Sequence, residues 1–321
     1  MKSELGGRGV KGTVLLTPQP LTPYPSLLTF LINFDEEKAM QVFENITKMQ
    51  EWAREQKKQG QSIALVPTMG YLHEGHLALV KEARRQCDKV VVSIFVNPIQ
   101  FGAGEDFEQY PRDLEQDSAL LEKERVDALF SPGIRDMYPG SFQTFVEAYG
   151  EITEKMCGAS RPGHFKGVTT VVSKLFNICQ PDRAYFGQKD AQQLMIVEKM
   201  VRELNFPLEI IRVPIVREKD GLAMSSRNVY LSPEERAEAL VLYRALKMAE
   251  EEIKNGEREI GIIRQKMEEM IEACPRAAID YIAINNANDL SELQTCTGKV
   301  LIALAVKFGK TRLIDNLIVE V

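Results

Sequence analysis

Residues 62–96 constrain this chain more than any other stretch. Residues 62–66 read SIALV, a short apolar strand, and 67–75 form a loop, PTMGYLHEG. A helix is expected from about His76 to Cys87, because Leu77, Val80, Ala83 and Cys87 recur on one helical face. Residues 90–96 then form a nearly continuous apolar run, as in strands buried on both sides. Strand, loop, helix and strand in this order make a βαβ unit, which requires parallel pairing and a right-handed crossover.

The alternation continues with a helix at 112–123, a strand at 126–130, a helix at 168–179 and a strand at 183–186. A helix at 191–204 and a strand at 208–213 follow. The pattern predicts an α/β fold, a Rossmann-like doubly wound parallel sheet over residues 40–215. Beyond EKDG at 218–221 the pattern changes. Ser232, Pro233 and Glu235 form a capping box with proline at the first helical position, opening a long helix that stops near Gly256. A second amphipathic helix and strands at 279–284, 299–306 and 312–319 complete a smaller C-terminal α+β domain, residues 216–321.

The first 39 residues differ. Pro18, Pro20, Pro23 and Pro25 precede a short apolar patch, and Asp35, Glu36 and Glu37 close it, the reverse of a secretory signal. They read as a poorly ordered N-terminal extension, with Met40 an alternative start. The five cysteines are scattered, with no C-x-x-C pair, which argues against a disulfide framework or a zinc site. With no membrane-length apolar run either, a cytoplasmic protein is expected. The formal charge of −6 argues against a general nucleic-acid binder but leaves room for a local basic pocket.

The chain has three histidines, His73, His76 and His164. Two of them form H-E-G-H at a strand-to-helix junction, where open α/β sheets bind ligands and a helix N-terminus favours phosphate. Imidazoles there can stabilise charge on a phosphate in flight, and Gly70 and Gly75 let the backbone approach the nucleotide. Neither G-x-G-x-x-G nor G-x-x-x-x-G-K-[ST] is present, which disfavours a dinucleotide dehydrogenase and a P-loop NTPase.

A second cluster, Gly187, Gln188, Lys189 and Asp190, also joins a strand to a helix, and Lys189 can reach phosphate as a point charge. A third, Met224, Ser225, Ser226, Arg227 and Asn228, lies where the domains join and suits a clamp on leaving pyrophosphate. Asn97 and Gln100 follow the second strand, Arg161 precedes a helix, and Gln100 and Gln193 are amides able to orient hydroxyl and carboxylate oxygens. Glu105 and Asp106 read as a solvated acidic turn rather than Mg²⁺ ligands. No Ser/His/Asp triad and no H-E-x-x-H metal site is evident.

Together PTMGYLHEGH (67–76), SIFVNPIQF (93–101), RPGHFKGV (161–168), YFGQKDAQQ (185–193), MSSRN (224–228) and TRLIDN (311–316) resemble the pantoate–β-alanine ligases, within the HxGH nucleotidyl-transfer superfamily. The resemblance runs from about Met40 to the C-terminus. It implies adenylation of the small acid (R)-pantoate by ATP, used with Mg²⁺, and transfer of the pantoyl group to β-alanine. Pro67, Met69, Gly70, Tyr71, Leu72, His73, Glu74, Gly75 and His76 would line the ATP site, with His76 and His73 catalytic. Gly187 to Asp190 would hold the nucleotide, with Lys189 on phosphate, and Val216 would contact adenine. Met224 to Arg227 is similar to the KMSKS-like loop of tRNA synthetases, with arginine in place of lysine, and would add Ser225, Ser226 and Arg227 to the catalytic set. Gln100 and Gln193 would contact pantoate, Gln100 also bordering the β-alanine site, with Asn97 and Arg161 beside them. The resemblance also implies a homodimer and leaves the metal-holding residues unknown. Two other functions explain part of the pattern: an HxGH nucleotidyltransferase acting on a phosphorylated acceptor, and a non-catalytic ATP-binding module.

Overall fold

The structure, a computed structural model, describes residues 39–321, so the reading of the first 39 residues lies outside the described residues except at Ala39. The first sheet has six strands: β1 (Gln41–Phe43), β2 (Ile63–Thr68), β3 (Lys89–Ile94), β4 (Ala128–Phe130), β5 (Arg183–Gly187) and β6 (Glu209–Val213). Their order is β1-β4-β3-β2-β5-β6 and every pairing is parallel. The chain winds outward from β2 through β3 and β4 on one side, then through β5 and β6 on the other. The switch point therefore lies between β2 and β5, where a crevice opens at the strands' carboxyl ends.

The apolar runs of β2 and β3 serve both faces of this sheet. Ile63 and Leu65 pack towards α1 (Ile46–Lys58), α7 (His164–Cys179) and α8 (Ala191–Glu203). Ala64 and Val66 pack on the opposite face with Leu79, Val80 and Ala83 of α2 (Glu74–Gln86) and Leu121 of α3 (Leu114–Lys123). Three short helices, α4 (Ile134–Met137), α5 (Glu151–Glu154) and α6 (Met156–Ser160), lie in the long connection from β4 to α7. Helix α7 starts at His164, four residues before the expected Val168. Gly163, at φ +80°, turns the chain directly into it.

Two elements go beyond the sequence reading. β1 is only three residues long, and α1 carries so many charged residues that Met49 and Ala53 are its only fully buried side chains. The long helix expected from Ser232 is instead two helices, α9 (Pro233–Glu238) and α10 (Val241–Lys254). The capping box at Ser232 and Glu235 forms as read. Ala239 and Leu240 keep right-handed dihedrals, but Leu242 N–H bonds Ala239 O at 3.2 Å rather than the carbonyl four residues back, so the turn tightens and the helix breaks.

After α11 (Ile260–Glu272), strands β7 (Ala277–Asn286), β8 (Lys299–Phe308) and β9 (Thr311–Glu320) form an antiparallel sheet. One face packs on α10 and α11. On the other, Leu301 and Ala303 meet Met156, Ala191 and Met195, which places β8 beside the start of α8. The α/β class holds, with a parallel sheet first and a small α+β part after it.

Candidate active site

The loop after β2 is held in an uncommon shape. Gly70 and Tyr71 have φ of +84° and +50°, in the left-handed region. Asp117 of α3, almost fully buried, accepts from Tyr71 N–H at 2.8 Å and Leu72 N–H at 2.6 Å. A Cβ on Gly70 would meet Ile94 Cγ2 at 2.9 Å and Asp117 Oδ2 at 3.1 Å. Asp117 thus fixes the loop that delivers both histidines, a role 45 residues away that no local pattern announces.

The histidines form a reciprocal cap on α2. Gly75 N–H donates to His73 Nδ1 at 3.1 Å and His73 N–H donates to His76 Nδ1 at 3.3 Å. Their rings stack 4.0 Å apart. Because each Nδ1 accepts, the neutral proton of each ring sits on Nε2, giving two N–H donors in one crevice. Burial, reinforced by the charge of Lys189, lowers the His73 pKa to about 4. Burial, then His73 and Lys189, also pushes His76 well below its ordinary value. Both rings are therefore neutral donors at pH 7 in the unliganded site.

Lys189 sits on a 3₁₀ turn, Gln188–Asp190, between β5 and α8. Burial lowers its pKa, and nearby Arg227 adds to this. Ser225 caps the next turn, its Oγ accepting from Arg227 N–H at 3.3 Å. Buried Ser226 donates to Tyr71 O at 3.1 Å, tying this segment to the histidine loop.

A cavity of about 210 Å³ brings together Pro67, Met69, His73, Gly75, His76, Gly187, Lys189, Asp190, Val216 and the run Met224 to Arg227. Asn97, Gln100 and Gln193 line the same cavity. Its apolar wall includes Phe95, Tyr110, Val168, Val171 and Leu175, which the sequence did not assign to the site. Gly70, Tyr71, Leu72, Glu74 and Gln188 do not line it. Leu72 belongs to the core, and Glu74 faces Lys81 on the surface. A wider cleft of about 1100 Å³ shares Lys189, Asp190, Gln193, Ser225 and Arg227, and so continues the cavity outward.

Arg161 lies in this wider cleft, not in the smaller cavity. Its guanidinium forks onto Glu105 at 2.7 and 2.6 Å, and Nη1 lies 3.0 Å from His164 Nε2. His164 Nδ1 lies 2.9 Å from Gln100 O. A proton on Nδ1 satisfies both contacts, so neutral His164 joins Arg161 to the Gln100 turn. Asp106 receives the fork of Arg227 at 2.8 and 2.9 Å. Glu105 and Asp106 are therefore not a solvated acidic turn. Each neutralises a half-buried arginine whose charge would otherwise stand in a poorly solvated cleft.

The Gln100 turn is braced from α7. Asn97 Nδ2 donates to Gln100 Oε1 at 3.1 Å and to Gly167 O at 3.0 Å, while Tyr138 Oη donates to Asn97 Oδ1 at 2.8 Å. A Cβ on Gly167 would lie 2.5 Å from both Gln100 Cα and Ile99 O, and that backbone cannot rotate aside. Gly167→Ala should therefore cost about 1–3 kcal/mol of stability and raise the KM for the acid substrate about tenfold or more. Urea unfolding and steady-state kinetics check this, and values matching wild type in both would refute the packing argument.

A doubly wound sheet with an HxGH loop at its switch point, facing a lysine turn and a Ser-Ser-Arg segment, defines a nucleotidyl-transferring α/β enzyme. Residues 41–318 match the family model described as pantoate-beta-alanine ligase. A pantothenate synthetase of Syntrophomonas wolfei is 99% identical over 282 residues, 88% of this chain and 100% of its own. That of Heliobacterium modesticaldum is 60% identical with the same coverage. The crystal structure of pantothenate synthetase from Thermus thermophilus shares 48% identity at a TM-score of 0.82, covering 87% of this chain and 99% of that one. A structure of pantoate-beta-alanine ligase from Francisella tularensis, complexed with beta-gamma ATP and beta-alanine, shares 36% identity at a TM-score of 0.73, over 87% and 97%. The chain belongs to the pantoate–β-alanine ligase family.

Proposed function

We propose that this site condenses (R)-pantoate with β-alanine to give pantothenate, consuming ATP to AMP and pyrophosphate. In the first step a pantoate carboxylate oxygen attacks the α-phosphorus, and the bond from that phosphorus to the pyrophosphate oxygen breaks. In the second, the β-alanine amine attacks the acyl carbon of pantoyl adenylate. The bond to the AMP oxygen breaks and the amine loses a proton. Neither step needs a protein nucleophile, so positioning and charge stabilisation supply the acceleration.

The observation that carries this reading is the shared cavity. Two imidazole N–H donors, Lys189 and the amides of Gln100 and Gln193 all line it. His76 and His73 donate to the α-phosphate oxygens as charge builds there, and Lys189 pairs with phosphate. Ser225, Ser226 and Arg227 hold the departing pyrophosphate, with Arg227 exchanging Asp106 for it. Val216 and Met224 lie against the base. Gln100 and Gln193 orient the pantoate oxygens, Asn97 holds Gln100, and Arg161 acts through the same turn.

Among the described residues no cluster of three metal-ligating side chains occurs. Asp190 lines the cavity while Asp106 is engaged by Arg227, so Asp190 would be the carboxylate to hold a Mg²⁺ ion that enters on the phosphates. Bound there, the ion would neutralise phosphate charge. Among the described residues no helix is long and apolar enough to cross a membrane.

The deciding experiment follows AMP and pantothenate with ATP, pantoate and β-alanine. Pyrophosphate without β-alanine, and AMP and pantothenate only with it, is the expected result. Nucleotide binding without product would favour the non-catalytic module, and turnover with a phosphorylated acceptor the other transferase.

In the connection from β4 to α7, residues 141–149 offer a surface that supports homodimer formation. Phe145 and Tyr149 are 44% and 76% exposed, and Phe142 meets Phe145 edge-on at 5.2 Å. Thr169 and Thr170 hold the extended backbone at Val146 from within. Phe145→Glu should weaken association at least about tenfold, read by light scattering across a dilution series. An unchanged mass at every concentration would exclude this surface.

A further inference from the structure

Lys189 is separated from fixed structure by very few residues. β5 ends at Gly187, paired with Val213 of β6, and α8 begins at Ala191. The direction of the Lys189 side chain then depends on the two peptide planes flanking its Cα. Their oxygens are the carbonyls of Gln188 and Lys189, and both receive hydrogen bonds from one side chain. Asn316 Nδ2 donates to Gln188 O at 3.0 Å and to Lys189 O at 2.9 Å. Gln188 Nε2 returns a bond to Asn316 Oδ1 at 3.2 Å. Asn316 is 2% exposed, so its amide makes these bonds away from competing water.

Asn316 lies on β9 of the C-terminal sheet, far along the chain from the turn it holds. Its neighbour on the strand grips the other side of the site. Asp315 accepts the fork of Arg217 at 2.6 and 2.9 Å and Asn316 N–H at 2.7 Å. Arg217 follows Val216 and pairs across a β-bridge with Ala223, just before the Met224 to Arg227 segment. Arg217 also lies over the Tyr243 ring at 4.5 Å. Two successive residues of β9 thus hold the lysine turn and the root of the serine-arginine segment.

We propose that Asn316 is a positioning residue for adenylation: its amide sets both peptide planes around Lys189 and so fixes the lysine at the phosphates from the C-terminal sheet. This rests on the assignment of Lys189 to phosphate in the preceding subsection. Truncating the amide leaves the cavity lining intact but frees the turn. The first half-reaction is therefore slowed, while capture of a preformed adenylate by β-alanine is not.

The test compares wild type, Asn316→Ala, Lys189→Ala and the double variant, with folding verified by thermal melting. Pyrophosphate release from ATP and pantoate without β-alanine reads the first half, and pantothenate formation from supplied pantoyl adenylate reads the second. Asn316→Ala should slow the first half about 10- to 100-fold, leave the KM for pantoate within about twofold, and leave the second half within about twofold. In the Lys189→Ala background the same substitution should add less than about a twofold loss, because its effect runs through the lysine. If Asn316→Ala does not fold, Asn316→Ser, which keeps a single donor, takes its place with a smaller loss in the same pattern. A wild-type first half for Asn316→Ala, equal losses in both halves, or a full multiplicative loss on the Lys189→Ala background would each overturn the inference. A wild-type rate for Lys189→Ala, by contrast, would remove the phosphate assignment itself.

Discussion

Lys189→Ala and His76→Ala should each lower turnover at least about 100-fold, the loss typical of removing one preorganised charge-stabilising group. The geometry gives the two losses different causes. Lys189 is a half-buried cation whose partial neutralisation comes from Asp190 and Asp315, with Arg227 opposing. Such a cation is poorly screened and gains most when the triphosphate arrives. Its loss should appear in the KM for ATP as well as in kcat. In the proposed mechanism the neutral His76 ring donates from Nε2–H to a charge that grows during the transfer, so its loss should fall on kcat, with the KM for ATP within a few-fold. His76→Ala also removes the acceptor of His73 N–H and half of the cap on α2, which costs about 1 kcal/mol of stability. His76→Asn keeps a cap acceptor and separates the effects: stability returns and kcat does not. Turnover close to wild type for both alanine variants would refute the charge-stabilising roles.

The central part of the site was legible because its signals are local. H-E-G-H, GQKD and MSSRN are each contiguous, and the first two occupy strand-to-helix junctions that the apolar runs before them announce. Parallel pairing then places the loops after β2 and β5 side by side, as the order of the sheet requires. What the sequence did not convey is the pairing between distant segments. Glu105 and Asp106 look solvated until the fold brings Arg161 and Arg227, 56 and 121 residues away, onto them. Asp117 reads as an ordinary polar residue near the start of α3, although its carboxylate shapes the histidine loop. β1 escaped notice because three residues carry no periodicity, and α1 because its buried stripe is two residues wide. Helix periodicity also runs through Ala239 and Leu240 without interruption, so only the tightened hydrogen bond reveals the break.

The same burial that keeps the histidines neutral should make the unliganded protein acid-labile well above the range where carboxylates titrate. The His73 pKa is lowered to about 4 and that of His164 to about 3, each chiefly by burial, and His76 moves the same way. In the unfolded chain each returns to its ordinary value near 6.5. Above that value neither state is protonated and the histidines contribute nothing to the pH dependence. Below it the unfolded chain takes up protons that the folded one refuses, so stability falls as pH falls. The loss ends only near pH 4 for His73 and near pH 3 for His164. Each such proton contributes about 1.4 kcal/mol per pH unit, so His73 and His164 together give a slope of about 2–3 kcal/mol per unit between pH 6 and 5, and His76 adds in the same direction. Urea midpoints across pH 5–8 test this, and a flat profile below pH 6.5 would show that the rings are solvated or paired with acid groups instead. ATP should change the slope in a specific way. Its phosphates raise the affinity of His73 and His76 for protons but leave His164 as it is, because Arg161 and the Gln100 carbonyl already engage both of its nitrogens. Binding near pH 5.5 should therefore take up protons, measurable by calorimetry in buffers of different ionisation enthalpy, and the acid slope with saturating ATP should shrink towards that of His164 alone.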